Sequence, residues 1–287
     1  MSKVSVIVIA RNESKFIKKC LNSILSQSFT DFEVIVIDDN STDNTKDIIL
    51  SFDDERINLF SLDRKKSGYG NLRNYALQKS SGKFIFFTDA DCVTHYNWVK
   101  EALREFENQN CVGVEGKTFY ESEGAITVSD YFTYRVKPEG YMTCNVAYNR
   151  DSLNKIGGFD SSFKYVYEDR DLGIRMSKLG KIAFCENMLI FHQQKKLTID
   201  NLFIRARRAG DMIYFDKKHG RKNSEYIKKN ILYPAHLIIV FFPPAIFISS
   251  RIESFYDLYF TLMKYFSFIY ERLIIWKTAI KYKKLIL

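Results

Sequence analysis

The sequence predicts an α/β fold on a mostly parallel sheet flanked by helices, and three observations carry that prediction. Short β-branched runs alternate with amphipathic segments through the first hundred residues. The runs are continuously apolar rather than alternating, as strands buried on both faces are. Polar or acidic residues stand directly after three of them, at Arg11-Asn12-Glu13, Asp38-Asp39 and Asp89-Ala90-Asp91. In open parallel sheets, ligands bind outside the carboxyl ends of the strands.

Val4–Ala10 reads as the first strand; it is short and runs straight into Arg11, unlike a signal peptide. Phe16, Ile17, Cys20, Leu21, Ile24 and Leu25 recur at helical spacing. Phe32–Ile37 is a second buried strand, and Ser41 or Thr42 is placed to cap the next helix, with Asp43 in its first turn. Ile57–Leu62 makes a third strand, Asn71–Lys79 a helix and Phe84–Thr88 a fourth strand, which together imply a doubly wound sheet. From about residue 111 the pattern is mixed, with β-like runs at Val112–Phe119 and Gly140–Tyr148 and a helical turn at Ser152–Ile156. Glu168–Lys178 reads as a helix stopped by Gly180, and Asn201–Lys218 as one further amphipathic helix rich in arginine.

The last part changes character. Ile231–Ser249 carries no formal charge, but Pro243-Pro244 breaks it and leaves roughly 18 Å of helix against a ~30 Å hydrocarbon core. Phe255–Trp276 carries Asp257, Lys264 and Glu271 at intervals of seven, which return to within about 20° of one another on a helix. That is one polar stripe on an apolar cylinder, suited to lying in a membrane interface or packing against a partner or the main domain. The expected organisation is therefore a domain over 1–220, with halves 1–110 and 111–220, and a helical, membrane-associated appendage over 221–287.

The chain has 287 residues, enough for one large domain and an appendage. Its net charge of +9 admits nucleic acid, anionic lipid or a phosphorylated substrate. The basic residues crowd at Lys217, Lys218, Arg221, Lys222, Lys228 and Lys229 and again at Lys277, Lys281, Lys283 and Lys284, flanking apolar sequence as membrane-surface proteins do. A nucleic-acid partner would not need acids at three strand ends facing one cleft, since these repel phosphate. A dinucleotide-dependent oxidoreductase would carry a glycine-rich turn after its first strand, and Arg11-Asn12-Glu13-Ser14-Lys15 has no glycine. Five scattered cysteines without a Cys-x-x-Cys pair argue for a reducing compartment and against a structural zinc site.

Six strings in order then resemble the family 2 glycosyltransferases of the GT-A (Rossmann-like) fold. They are Val4 to Glu13, Phe32 to Asp43, Gly70-Asn71-Leu72-Arg73-Asn74, Thr88-Asp89-Ala90-Asp91, Gly157-Gly158-Phe159-Asp160 and Glu168-Asp169-Arg170-Asp171-Leu172. The resemblance covers residues 3–185. It implies a nucleoside-diphosphate sugar as donor, held by Ala10, Arg11, Glu13, Asp38, Asp39, Arg73 and Asp89. Arg73 is either a diphosphate partner or a structural partner of Asp39 or Asp91.

The resemblance also implies a Mg²⁺ or Mn²⁺ ion at Asp91, with Asp89 reaching the ribose or the ion. Carboxylates are hard ligands that hold such ions against phosphates. His192 is a further metal ligand or a polar residue at a strand end. Asp169 is implied as the general base of an inverting displacement, with Glu168 and Asn145 on the acceptor side. A glycan or polyprenyl-linked acceptor at the cytoplasmic face of the cell membrane follows from the apolar tail. Arg205, Arg207 and Arg208 would close over the diphosphate or bind anionic headgroups. That segment lacks the Gln-x-x-Arg-Trp motif of processive synthases, so transfer of a single sugar is expected. A processive synthase and a non-catalytic membrane scaffold are the alternatives.

Overall fold

The computed structural model describes residues 3–62, 68–121, 130–131, 133–196, 198–220 and 254–281. In chain order these form β1 (Val4–Ala10), α1 (Ile17–Leu25), β2 (Phe32–Asp39), α2 (Thr45–Leu50), β3 (Ile57–Leu62), α3 (Tyr69–Lys79), β4 (Phe84–Asp89) and β5 (Cys92–Thr94). There follow α4 (Trp98–Gln109), β6 (Gly113–Glu121), β7 (Asp130–Tyr131), β8 (Val146–Asn149), α5 (Arg150–Lys155), α6 (Glu168–Ser177), β9 (Ile182–Gln193) and β10 (Lys195–Lys196). Three helices close the described chain: α7 (Ile199–Arg207), α8 (Ala209–His219) and α9 (Phe255–Lys281).

Two compact units result. The first takes Met1–Ser122, Phe132–Ser162 and Glu168–Gln194, and the second Glu123–Tyr131, Phe163–Tyr167 and Lys195–Leu287. The expected boundary at 220 thus moves to 195, because α7 and α8 pack with α9.

The first unit is one sheet in the order β3-β2-β1-β4-β8-β6-β9-β5. The β1–β4 half is all parallel, while β8 runs antiparallel to both β4 and β6, and β5 antiparallel to β9. The continuous apolar runs have the expected cause: both faces are covered. Val4, Val6 and Val8 pack in one layer with Ile17, Leu21 and Trp98, whereas Ile7 and Ile9 pack in the other with Leu72, Ala76 and Leu172. Strand ends align so that Ala10 lies opposite Asp38, and Ile9 opposite both Ile37 and Asp89.

Three expectations shift. Helix α2 begins at Thr45 with Asn44 in the cap position and no side-chain cap, so Ser41 and Thr42 lie before the cap; the Ser41 hydroxyl accepts from the Asn12 N–H instead. Of the run Gly140–Tyr148 only the last three residues are strand, in β8. Glu139 and Tyr141 adopt left-handed φ of 65° and 53°, and the N–H groups of residues 139–141 go to the Glu115 carboxylate instead of a ladder. The expected single helix Asn201–Lys218 is two, Ile199–Arg207 and Ala209–His219, with the break at Arg208.

In the second unit α9 packs against α7 and α8, with Ala209, Ile213 and Ile275 clustered and the Ser267 hydroxyl bonded to the Leu202 carbonyl. Asp257, Lys264 and Glu271 are half-buried, while Phe255, Tyr259, Phe266 and Leu273 are exposed. The polar stripe exists, but it does not form the solvent face. No helix among the described residues is long and apolar enough to cross a membrane. The run Ile231–Ser249 lies outside the described residues.

Candidate active site

The ends of β1 and β2 are laced together by their loops. Asn12 and Asn40 take left-handed φ of 54° and 53°, a region asparagine tolerates. The Asn12 side-chain oxygen accepts from Thr42 N–H at 2.8 Å, and Glu13 N–H donates to the Thr45 hydroxyl at 2.7 Å. Asp38 and Asp39 are buried beneath this lacing. Asp38 Oδ1 accepts from Ser41 N–H at 3.3 Å, and Arg11 Nη1 stands 3.3 Å from Asp39 Oδ2. Ala10, also buried, leaves the floor between them without a long side chain.

Arg73 is the buried hinge of the site. Its Nη1 donates to Glu168 Oε1 at 2.7 Å and its Nη2 lies 3.7 Å from Asp89 Oδ1, so neither Asp39 nor Asp91 is the partner that the sequence suggested. The guanidinium sits over the rings of Tyr69 and Phe159 at 5.6 and 5.7 Å. Burial alone would lower its pKa; the carboxylates of Glu168, Asp89 and Asp169 overcome this and hold it above its ordinary value. Phe159 is itself fixed by Asn74, whose amide both donates to its carbonyl and accepts from its N–H at 2.9 Å. Gly158 has φ 69° and would drive a Cβ to 2.6 Å from that Asn74 oxygen, so it is required by close approach, whereas Gly157, with open space around it, is required by its φ of 73°.

Asp169 follows Glu168 in the first turn of α6, whose far end is tied by Arg175 to Asp171 and to the carbonyls of Ile156 and Gly158. Burial first, and then the neighbouring Glu168 carboxylate, raise the Asp169 carboxyl to about 7, against the pull of Arg73. A carboxyl near 7 is suited to take a proton at neutral pH.

A third group forms where β5 pairs with β9. The register sets Cys92 directly opposite His192, and Asp91 precedes it in the turn. His192 Nδ1 lies 3.1 Å from the Gln193 carbonyl, which can only accept, so Nδ1 carries the proton. His192 Nε2 faces Asp91 Oδ1 at 3.5 Å, and Cys92 Sγ lies 4.0 Å from the same oxygen. One ligand atom from each of the three buried residues falls within 4.8 Å of the others. Sequence reasoning found Asp91 and His192 here and missed Cys92, because the pairing joins positions about one hundred residues apart. Asp89, expected to reach the ribose or the ion, lies 3.7 Å from Arg73 Nη2 with its side chain 35% exposed.

Asn145 does not sit as an acceptor-side residue should. Its oxygen accepts from Trp98 Nε1 at 2.8 Å and its nitrogen donates to the carbonyls of Lys117 and Met188, which commits the whole amide to the sheet core. Arg205, Arg207 and Arg208 belong to the second unit, where Arg207 bonds to Tyr165 and Tyr270.

Comparison with known proteins gives the chain's family and fold. The family model for glycosyl transferase family 2 matches residues 5–164. A GalNAc(5)-diNAcBac-PP-undecaprenol beta-1,3-glucosyltransferase of Campylobacter jejuni is 36% identical over 129 residues, 44% of this chain and 41% of that protein. The glycosyltransferase AglE of Haloferax volcanii is 32% identical over 151 residues, 50% of this chain and 49% of that one. The matched stretch thus spans less than half the length of these curated relatives. Among solved structures, TarS of S. aureus in complex with UDP-GlcNAc superposes with TM-score 0.58 at 17% identity, covering 98% of this chain and 92% of that one. The mannosyltransferase PcManGT of Pyrobaculum calidifontis, in complex with GDP-Man and Mn²⁺, gives 0.59 at 16%, covering 96% and 87%. At such identities these two establish the α/β fold. With its family model spanning more than half of its residues, this chain belongs to glycosyl transferase family 2.

Proposed function

We propose that this chain transfers a single sugar from a nucleoside-diphosphate donor to a hydroxyl or phosphate of a lipid-linked glycan, with inversion, at the cytoplasmic face of a membrane. The observation that carries this reading is the Arg73 guanidinium, which touches both Asp89 at the end of β4 and Glu168 beside Asp169. One buried cation thereby holds the donor-side acids and the acceptor-side base in a single cleft.

Asp38 and Asp39 offer acceptors for a base N–H and ribose hydroxyls, and Arg11 and Arg73 offer positive charge to a diphosphate. Asp169, raised to about 7 and next to the Arg73–Glu168 pair, takes the acceptor proton as the acceptor oxygen attacks the anomeric carbon. One carboxylate suffices for a single inverting displacement, and no second one acts as nucleophile. The donor chemistry of Asp91 and His192 fits a divalent ion, since the Nδ1 bond to a carbonyl aims the Nε2 lone pair at the Asp91 carboxylate, an arrangement common behind metal-ligating histidines. Bound there, Mg²⁺ or Mn²⁺ would offset charge developing on the leaving diphosphate.

The lipid-linked acceptor is supported by the printed function of the Campylobacter relative and of an Escherichia coli UDP-Glc:alpha-D-GlcNAc-diphosphoundecaprenol beta-1,3-glucosyltransferase, 37% identical over 100 residues, 35% of this chain and 38% of that protein. The exposed apolar stripe of α9 supports a membrane surface. The test is a donor screen that follows nucleoside diphosphate release, with Asp91→Ala beside the wild type. Ion-dependent release that Asp91→Ala abolishes is expected; release indifferent to divalent ions and to this substitution would overturn the reading.

A further inference from the structure

The proposed ion site has a third side chain that the strand-end acids do not account for. Asp91 and His192 are a carboxylate and an imidazole, a set open to many divalent ions. Cys92 is fully buried and lies directly across the β5–β9 ladder from His192, and cross-strand partners project to the same face of a sheet. Its sulfur stands 4.0 Å from Asp91 Oδ1, at the outer limit of a sulfur hydrogen bond and near enough for both atoms to reach one metal. Oxygen, nitrogen and sulfur lie within 4.8 Å of one another, all buried, around one point. The imidazole is already oriented by its Nδ1 bond to the Gln193 carbonyl.

We infer that Cys92 supplies a thiolate to the ion held by Asp91 and His192, so that the site prefers Mn²⁺, Co²⁺ or Zn²⁺ to Mg²⁺. This rests on the ion-site reading given above and deepens it. Mg²⁺ takes oxygen ligands in a near-ideal octahedron, and a sulfur in its shell counts against it; the borderline transition ions accept the mixed set. On binding, the Cys92 S–H proton leaves to solvent and the sulfur bonds to the ion, with no oxidant involved. Cys144, whose thiol neighbours Cys92 and lies 3.8 Å from Thr118 Oγ1, is the sulfur to be distinguished from it.

The test titrates the full chain with Co²⁺ alone, reading absorption and calorimetry together. Expected is one equivalent bound with a sulfur-to-cobalt charge-transfer band. Cys92→Ser should lose the band and bind Co²⁺ about tenfold more weakly, a loss of the size seen when a supporting group of a metal site is removed, while Mg²⁺ affinity changes less than about twofold. Cys144→Ala should keep the band. Co²⁺ bound without the band, and equally by Cys92→Ser, would overturn the inference and leave the Asp91–His192 site standing. Binding that Asp91→Ala leaves unchanged, or no binding at all, would overturn both. Should Cys92→Ser misfold, X-ray absorption on the Co²⁺-loaded wild type decides by the presence or absence of one sulfur neighbour.

Discussion

The sheet unit and the helical unit treat their polar residues in opposite ways. In the sheet unit the apolar strands are buried on both faces, and the acids gather where β1, β2 and β4 end. In the helical unit the polar stripe of α9 turns partly inward: Asp257, Lys264 and Glu271 are half-buried, and burial pushes the Glu271 carboxyl above its usual range. Its exposed side carries Phe255, Tyr259, Phe266 and Leu273 instead. The central strands of the sheet unit therefore bury their apolar residues internally, whereas α9 keeps an apolar stripe that another phase or molecule would cover.

The contrast assigns chemistry to the sheet unit, and its largest consequence falls on Asp169. Asp169→Asn should lower the transfer rate by about 10²- to 10⁴-fold while donor affinity, measured by calorimetry, stays within about twofold. In the wild type the rate should rise with pH and level off above about 7, since only the deprotonated carboxyl accepts a proton. The same raised pKa sets the sign for stability. The protonated carboxyl favours the fold fully below the unfolded value of about 4, and this contribution is lost as pH rises through about 7. A flat rate profile would remove Asp169 as base. Vesicle binding should be unaffected by Asp169→Asn, because the stripe belongs to α9.

A smaller effect is expected at Glu115, which holds residues 139–141 through three backbone N–H groups. Burial pushes its carboxyl up, yet the three donors need an acceptor. Glu115→Ala should cost about 1–2 kcal/mol in urea unfolding, chiefly the penalty of leaving the buried Tyr141 N–H unpaired. Because Tyr141 packs against Gly173 of α6, the loss should also slow transfer. Unchanged stability would mean that the loop holds itself.

The smallest effect concerns the helical unit. Phe266, 50% exposed, contributes at most about 1–2 kcal/mol of apolar burial at an interface. Phe266→Glu should weaken sedimentation with anionic vesicles severalfold and leave transfer to a water-soluble acceptor analogue unchanged. Equal sedimentation would exclude this stripe as the membrane contact.

Much of the strand-end half of the candidate site was legible from the sequence because it is local. Val4–Ala10 and Ile57–Leu62 are the observed strands to the residue, and Asp38, Asp39, Asp89 and Glu168 stand where short motifs put them. A strand followed by its own loop needs no distant partner to declare itself. The α9 stripe was legible as a periodicity, but which side faces water was not, since spacing says nothing about what packs on a helix.

The order of strands and helices through β4, the acids at the strand ends and the family to which they point are written in the linear chain. Partnership is not: Arg73 with Glu168 and Asp89, Asn145 with Trp98, and Cys92 across from His192 emerge only in the folded molecule. Most of these contacts close over spans of about fifty to one hundred residues. Their register depends on the whole sheet folding around them, with one residue of slip turning each strand side chain to the opposite face.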